Sequence, residues 1–296
     1  MDKNKTLIII TGPTGSGKTG LAIELARLLN CEIISADSRQ MFREIPIGTA
    51  APTPAQLAAV PHHFVGNLSL TDYYSAARFE EDVHELLPRL WKKNDYVIMC
   101  GGSMMYIDAV CNGIDPLPTV SDDNRAKALA IYQEEGLDGL IRHLTILDPE
   151  YLATAPDLKN HKRLVHALEI SMEAGQPYSS LLTGRKTRRP YRILKFALDM
   201  PREELFDRIN RRLDIMIAHG LEDEARRVYP LRHLNSLNTV GFKEMFAMFD
   251  GTMDRETAIA RIGKNTRVYA KKQLTWLKRD PSIHHITTLN DILPHL

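Results

Sequence analysis

Short apolar runs alternate with longer stretches of helical periodicity in the first third of the chain. The runs at residues 7–10 and 96–100 have the length and composition of strands that are buried on both faces, and the run at 32–35 predicts a second, short strand. Residues 21–29 and 74–92 lie between them and place apolar side chains at helical spacing. This alternation predicts an α/β fold, in which a parallel sheet is flanked by helices.

The pattern becomes helical throughout from about residue 121. Ser121 suits a helix N-cap because acidic residues follow it in the first turn. Helical patterns run over 125–135 and 137–147, with Gly136 between them, and again over 161–174. We therefore expect three parts, which are the first part of the core over 1–120, a mostly helical insertion lobe over 121–182, and the remainder of the core over 183–296.

A strand at 193–198 and a long last helix complete the predicted core. This helix is expected over about 254–277, where Ile262, Tyr269 and Trp276 recur every seven residues and predict its buried stripe. Its many basic residues would then project away from the core.

Candidate chemistry begins directly after the first apolar run, at a glycine-rich segment that ends in Lys18 and Thr19. Glycines allow a tight turn that directs a row of backbone N–H groups inward. The N-terminus of the following helix and Lys18 add positive charge, and Thr19 can offer its hydroxyl to a magnesium ion. The segment predicts a P-loop that binds a diphosphate or a nucleotide, and hence a P-loop NTPase-like sheet. Its residues are Gly12, Pro13, Thr14, Gly15, Ser16, Gly17, Lys18 and Thr19.

Polar residues also follow the other two predicted strands of the first third. Asp37 comes after the second run, and Ser103 follows Gly101 and Gly102 after the third. In an open parallel sheet the carboxyl ends of the strands meet at the ligand-binding edge. Asp37 can there hold magnesium, act as a general base or only cap a turn, and its spacing does not separate these roles.

Composition restricts the class of protein. Of 296 residues, 44% are hydrophobic and 25% are charged, which indicates a globular chain with a sizeable core. Three cysteines without CxxC spacing argue against a disulfide framework or a zinc module and fit a reducing cytoplasm. No apolar run is long enough to span a bilayer, so we expect a cytoplasmic protein with no membrane partner.

Basic residues cluster late in the chain although the formal net charge is only +1. One cluster lies at 184–192 and the other on the predicted last helix. A solvated linker and an exposed helix face would explain them, but together they also suit a nucleic-acid surface. The paired His62 and His63 lack metal-ligand spacing, which favours a structural role.

Together, these motifs resemble the tRNA dimethylallyltransferase family, whose members modify adenosine in tRNA. The matching pieces occur in order over nearly the whole chain. They are residues 12–19, 37–40, 47–50, 61–62, 101–103, 162–163, 167–169, Arg208 and Arg212 ahead of 220–221, 240–243 and 272–276.

The resemblance implies a reaction and a set of residues for it. A dimethylallyl group would move from dimethylallyl diphosphate to N6 of the adenosine on the 3′ side of the anticodon, with Mg2+ as cofactor. By the same resemblance, Asp37 accepts the N6 proton, Ser103 helps to hold the base, Arg212 stands at the diphosphate and Thr19 contacts the magnesium ion. The adenosine would have to flip out of the anticodon loop, because a stacked base is inaccessible.

The resemblance also implies a tRNA-contacting surface, and we expect a monomer. The residues it implies are Asp37, Ser38, Arg39, Gln40, Ser103, Arg125, Lys162, Arg163, His166, Lys271, Lys272, Gln273, Thr275 and Trp276.

Two other functions are compatible with a P-loop. A small-molecule or nucleotide kinase would use Asp37 as its base but would leave the late basic clusters without a role. A non-catalytic RNA-binding module would use nucleotide only as a switch. A kinase should prefer ATP, whereas the transferase should prefer a prenyl diphosphate.

Overall fold

A computed structural model describes residues 5–184 and 187–296, and it divides the chain into two compact units. The first comprises Met1–Asn112 with Arg188–Leu296, and the second is Gly113–Thr187. The second unit begins earlier and ends later than the lobe expected at 121–182. The reason is a local contact, since the N–H and hydroxyl of Thr183 donate to the Asp115 carboxylate at 3.0 and 2.6 Å.

The first unit is built on a parallel sheet whose order in the described residues is β3-β2-β4-β1-β5-β6. Its strands are β1 (Thr6–Thr11), β2 (Ile33–Ser35), β3 (His62–His63), β4 (Tyr96–Cys100), β5 (Arg192–Leu198) and β6 (Ile283–Ile286). The four strands predicted from apolar runs are confirmed as β1, β2, β4 and β5. The two edge strands β3 and β6 had no such signal because they are short and only half-buried.

Helices cover both faces of this sheet, which explains the continuous apolar character of β1. The helices of this part of the unit are α1 (Lys18–Leu29), α2 (Pro54–Ala59), α3 (Ala76–Leu90) and α4 (Met104–Asn112). Leu7 and Ile9 pack against α3 and α4, whereas Ile8 and Ile10 pack against α1, and all four side chains are completely buried.

The second unit is helical in the part that the structure describes. Its helices are α5 (Asp122–Leu147), α6 (Pro149–Thr154), α7 (His161–Ala174) and α8 (Tyr178–Leu181). Ser121 caps α5 by accepting the Asn124 N–H, and the predicted break falls at Gly136, whose φ is 67°. Leu140 and Leu144 pack against α7 to form the core of the unit.

Four helices complete the first unit around a further apolar cluster that contains Leu213, Leu221, Phe242 and Ile262. They are α9 (Arg202–Ala218), α10 (Leu221–Val228), α11 (Phe242–Phe249) and α12 (Arg255–Leu277). Among the described residues, 5–184 and 187–296, no helix combines the length and apolarity that a bilayer span requires.

The expected seven-residue stripe on α12 is wrong in part. Ile262 is buried, but the side chain of Tyr269 is 38% exposed and Trp276 is half-buried. A straight helix drifts by about 20° per seven residues, so positions at that spacing do not stay on one face. The buried positions of α12 are Ala258, Ile262, Gly263, Ala270, Gln273 and Leu277.

Candidate active site

The carboxyl ends of β1, β2 and β4 border a cavity of about 410 Å³ in the first unit. The P-loop, the turn at 37–40 and the segment around Ser103 line it at the sheet edge. Side chains of α9 and α12 and the segments 48–50 and 238–241 form its other walls. The parallel sheet therefore brings the residues predicted at separate strand ends into one site.

The P-loop presents unpaired hydrogen-bond donors at the N-terminus of α1. Gly15 and Gly17 have φ angles of 87° and 94°, a left-handed conformation that favours glycine. Within residues 5–184 and 187–296, their N–H groups and those of Lys18 and Thr19 have no acceptor. The buried hydroxyl of Ser16 also lacks a partner there. An anionic phosphate group would satisfy such donors.

Two partly buried cations, Lys18 and Arg212, line the same cavity. Burial lowers the pKa of the Lys18 ammonium and of the Arg212 guanidinium, and the Asp37 charge opposes this in both. Arg212 donates to the Thr14 hydroxyl at 3.0 Å and to the Thr49 carbonyl at 3.5 Å. Neither cation forms a salt bridge in the described part of the chain, so an anionic ligand would supply the compensating charge.

The two oxygens of Asp37 have different surroundings. Its Oδ1 accepts the N–H groups of Arg39 at 3.0 Å and Gln40 at 3.4 Å, which is the turn-capping role that the sequence left open. Its Oδ2 has no hydrogen-bond partner among the residues that the structure describes, and the side chain lines the cavity. One oxygen therefore fixes the turn while the other can accept a proton.

Ser103 holds the ends of β2 and β4 together. Its hydroxyl oxygen accepts the Ser38 N–H at 2.8 Å, and its O–H group donates to the Ser38 hydroxyl oxygen at 3.2 Å. Its own N–H donates to the Ala36 carbonyl at 3.1 Å. A contact of Ser103 with an adenine base stays a prediction.

Glu224 is a site-supporting residue that the sequence reasoning missed. Its carboxylate is 0% exposed and accepts the N–H groups of Ile47 at 2.9 Å and Gly48 at 2.7 Å. Burial raises the pKa of Glu224, and these two N–H groups partly oppose that rise. The bonds fix the segment whose Thr49 carbonyl receives Arg212. The sequence does hold a sign of this role, because Glu224 lies at helical spacing from Leu221 and Val228 and so falls on the apolar face of α10.

Gln273 and Tyr269 of α12 also have roles that the sequence did not indicate. Gln273, expected as a tRNA contact, is only 3% exposed and binds two protein backbone groups. Tyr269, expected in the buried stripe, lines the cavity instead. Burial and the neighbouring Asp37 charge raise the pKa of the Tyr269 hydroxyl to about 12. The periodicity of one helix does not show whether an apolar face lines a cavity or packs into a hydrophobic core.

The other residues of the first unit that were expected to contact tRNA have mixed environments. Lys271, Lys272 and Thr275 are exposed on α12. The Trp276 indole N–H donates to the Asp108 carboxylate at 3.1 Å, and the Arg39 guanidinium donates to the Ser236 carbonyl at 3.0 Å.

The second unit carries the remaining expected contacts. Lys162, Arg163 and His166 are exposed on α7. The Glu169 carboxylate lies 3.1 Å from His166 Nδ1 and 3.6 Å from Arg125 Nε, so it places these two side chains side by side. Their contact with tRNA stays a prediction.

The basic linker at 184–192 is not uniformly solvated, which corrects one expectation. Arg189 is 10% exposed, pairs with Glu80 at 2.5 Å and donates to the Ala109 and Val110 carbonyls. Arg192 binds the carbonyls of the last two residues. Arg185 and Lys186 lie outside the described residues.

The donor set of the cavity fits a magnesium ion that takes most of its ligands from phosphate and water. The Thr19 hydroxyl and the Asp37 carboxylate both line the cavity, and Mg2+ prefers such oxygen donors. Among the described residues no three His, Cys, Asp or Glu side chains form a metal cluster. His62 and His63 contact the Val60 carbonyl and the Glu32 carboxylate instead.

Comparison with known proteins gives a consistent result. The family model described as IPP transferase matches residues 40–280. The tRNA dimethylallyltransferase 1 of Phocaeicola vulgatus is 56% identical over 94% of this chain and 92% of its own length. That of Bacteroides thetaiotaomicron is 52% identical over 98% and 95%.

Solved structures agree with these matches. A tRNA isopentenylpyrophosphate transferase from Bacillus halodurans superposes with a TM-score of 0.70 at 34% identity, over 96% of this chain and 90% of its own. A eukaryotic dimethylallyltransferase described as acting on tRNA gives a TM-score of 0.78 at 26% identity, over 97% and 75%. The chain therefore belongs to the IPP transferase family, the family of the tRNA dimethylallyltransferases.

Proposed function

We propose that this protein transfers a dimethylallyl group from dimethylallyl diphosphate to N6 of the adenosine 3′-adjacent to the anticodon in tRNA, with release of diphosphate. One observation carries the proposal. Among the described residues, the unpaired P-loop donors and two partly buried cations border the same cavity as an unpartnered oxygen of Asp37. Relatives at 52–56% identity that are named tRNA dimethylallyltransferases support the same reaction.

The P-loop provides the site for the diphosphate. Its backbone N–H groups would bind the phosphate oxygens, and Lys18 and Arg212 would offset the charge that grows on the leaving group. An allylic carbon reacts readily with an amine once that charge is stabilised, so positioning and electrostatics can supply most of the catalysis. With Mg2+ bound at Thr19, the ion would add positive charge beside the same oxygens.

The transfer itself makes and breaks one bond at the allylic carbon. The N6 lone pair forms a bond to C1 of the dimethylallyl group, and the C1–O bond breaks with its electron pair leaving on the diphosphate. The amine then loses a proton, which Asp37 Oδ2 accepts. The hydrogen bonds to Oδ1 hold the carboxylate in place during this step.

An apolar wall of the cavity suits the five-carbon tail. Ile209, Leu213 and Met216 of α9 line it together with Val240 and Ile262. Apolar walls exclude water, which would otherwise compete with the amine for the activated carbon.

Exposed basic side chains would hold the tRNA. Lys271 and Lys272 on α12 and Lys162 and Arg163 on α7 can each neutralise a phosphate of the anticodon arm. The target adenosine would enter the cavity only after flipping out of the loop.

The test compares Asp37→Asn and Asp37→Ala with the unchanged protein, using radiolabelled dimethylallyl diphosphate, Mg2+ and unmodified tRNA. Asn keeps an oxygen for the Arg39 and Gln40 N–H groups but cannot accept the proton. We expect transfer to fall by roughly 100-fold or more in both variants while tRNA affinity changes little. Normal turnover of Asp37→Asn would refute the assigned base.

A substrate control separates the proposal from a kinase. The wild-type protein is incubated with ATP that is radiolabelled at its γ-phosphate, in place of the prenyl diphosphate. Label entering tRNA only from the prenyl donor, and only when the target adenosine is present, supports the transferase. Phosphate transfer to a small molecule without prenylation would refute it.

A further inference from the structure

Gln273 connects α12 to two segments of the active site that are remote in sequence. Its Oε1 accepts the Thr14 N–H of the P-loop at 2.8 Å, and its Nε2 donates to the Gly102 carbonyl at 2.9 Å. The residue is the polar member of the otherwise apolar buried face of α12. A buried amide is favourable only if its polar atoms are paired, so these bonds explain why a glutamine can occupy this position.

The bond to Thr14 also positions the side chain of Arg212. Because the Thr14 N–H is held by Gln273, its hydroxyl oxygen is placed to accept Arg212 at 3.0 Å. The bond to the Gly102 carbonyl holds the backbone directly before Ser103. Ser103 in turn accepts the Ser38 N–H and so holds the 37–40 turn. The Gln273 amide therefore holds the backbone of both the P-loop and the segment that follows β4.

The exposed face of α12 carries basic side chains. Lys272, the adjacent residue, is exposed and has no salt bridge within residues 5–184 and 187–296. The same helix thus offers cations at its surface and a hydrogen-bonding amide to the interior.

We propose that Gln273 is a positioning residue for the diphosphate site, which it ties to the basic helix α12, and that it is not a tRNA contact. The inference rests on the proposed function, whose diphosphate is the ligand concerned. Removing the amide leaves the Thr14 N–H unpaired and lets the loop and Arg212 move. Diphosphate binding should then weaken while tRNA binding, which uses the exposed face, should persist.

Gly102 gives an independent way to disturb the same bond. A Cβ on Gly102 would lie 2.4 Å from Gln273 Nε2, far inside contact distance. Gly102→Ala must therefore displace the amide without altering Gln273 itself. Its next neighbour, the Gly12 carbonyl oxygen at 3.5 Å, is at an ordinary contact distance.

The experiment measures binding of two probes to the full chain by calorimetry, inorganic pyrophosphate with Mg2+ and an unmodified tRNA transcript. Gln273→Met is the main variant because it keeps the side-chain length and loses the amide. Gln176→Met is the matched control, since Gln176 is exposed on the second unit. Lys272→Ala is the reciprocal variant, expected to weaken tRNA binding alone. Thermal melting establishes that each variant is folded.

We expect Gln273→Met and Gly102→Ala to bind pyrophosphate roughly tenfold or more weakly, with tRNA affinity within about twofold of the control. Unchanged pyrophosphate affinity in a folded variant would overturn the inference. So would equal losses for both probes, which would indicate only a general loss of structure. If Gln273→Met fails to fold, Gly102→Ala decides between these outcomes.

Failure of the inference and failure of the proposed function give different results. If the unchanged protein prenylates tRNA but both variants bind pyrophosphate normally, only the role of Gln273 is wrong. If the variants lose pyrophosphate binding as expected but the unchanged protein transfers no label, only the prenyl transfer is wrong.

Discussion

Gly101→Ala should be among the most damaging single-methyl additions to this site. Gly101 directly follows β4, and its backbone passes against that of Ala36, the residue that follows β2. A Cβ at Gly101 would lie 2.1 Å from the Ala36 carbonyl oxygen and 2.3 Å from its carbon. Both atoms are backbone, so no side-chain rotation can relieve the contact.

The cost follows from what must move. Separating the Cβ from the Ala36 carbonyl oxygen, from 2.1 Å to an ordinary contact distance of 3.4 Å, requires a shift of about 1.3 Å between the two strand ends. The Ala36 carbonyl accepts the Ser103 N–H at 3.1 Å, and the Ala36 N–H donates to Cys100 at 2.8 Å, so both bonds are strained by that shift. Overpacking costs about 1–3 kcal/mol and each weakened bond about 1 kcal/mol, which gives a destabilisation of about 3–5 kcal/mol.

Chemical denaturation with circular dichroism measures this loss, and Gly20→Ala is the matched control. Gly20 lies in α1 with no atom within 4 Å of a Cβ built there, so alanine should stabilise the helix by about 0.5–1 kcal/mol. Gly101→Ala should therefore lower the free energy of unfolding, whereas Gly20→Ala should raise it. Turnover of Gly101→Ala should also fall by roughly 100-fold, because the displaced strand end carries Asp37.

Two results would refute this reasoning. One is a Gly101→Ala protein that unfolds at the wild-type denaturant concentration, since the close backbone approach would then be absent. The other is a Gly20→Ala protein that is destabilised as strongly as Gly101→Ala, since any added methyl near the P-loop would then have the same effect.

Three further predictions concern charge. Lys272→Ala should lower the slope of log affinity for tRNA against log salt concentration by about 0.7–1, because one phosphate contact is lost, and an unchanged slope would place the RNA elsewhere. Arg189→Ala should reduce the free energy of unfolding by about 3–5 kcal/mol, because the buried guanidinium pairs with Glu80 and binds two backbone carbonyls. The control Arg188→Ala, at the exposed neighbouring position, should change it by less than about 0.5 kcal/mol. The raised pKa of Glu224 means that the folded state binds its proton more tightly than the unfolded state, so this group's contribution to stability is lost as the pH rises from the usual glutamate range. The destabilisation by Glu224→Gln should therefore be larger at pH 5 than at pH 7.5 in urea unfolding, and the reverse order would contradict the burial of an ionising carboxylate.

Local sequence determined the elements that carry the chemistry. The P-loop was readable because its glycines, Lys18 and Thr19 act within one turn, and the apolar run before it marks a strand buried on both faces. Asp37 and Ser103 were placed at the same edge because a parallel sheet collects the ends of its strands there. Periodicity likewise located the long helices, including the cap at Ser121 and the break at Gly136.

Only the tertiary structure decided what the polar side chains of those elements contact. Gln273 binds Thr14 across 259 positions of sequence, and Glu224 binds Gly48 across 176. Arg189, one of several similar basic residues in a linker, is buried because Glu80 lies opposite it. Periodicity reports which face of a helix is apolar, but a buried polar group is stable only with a specific partner, and that partner is set by the packing of distant segments.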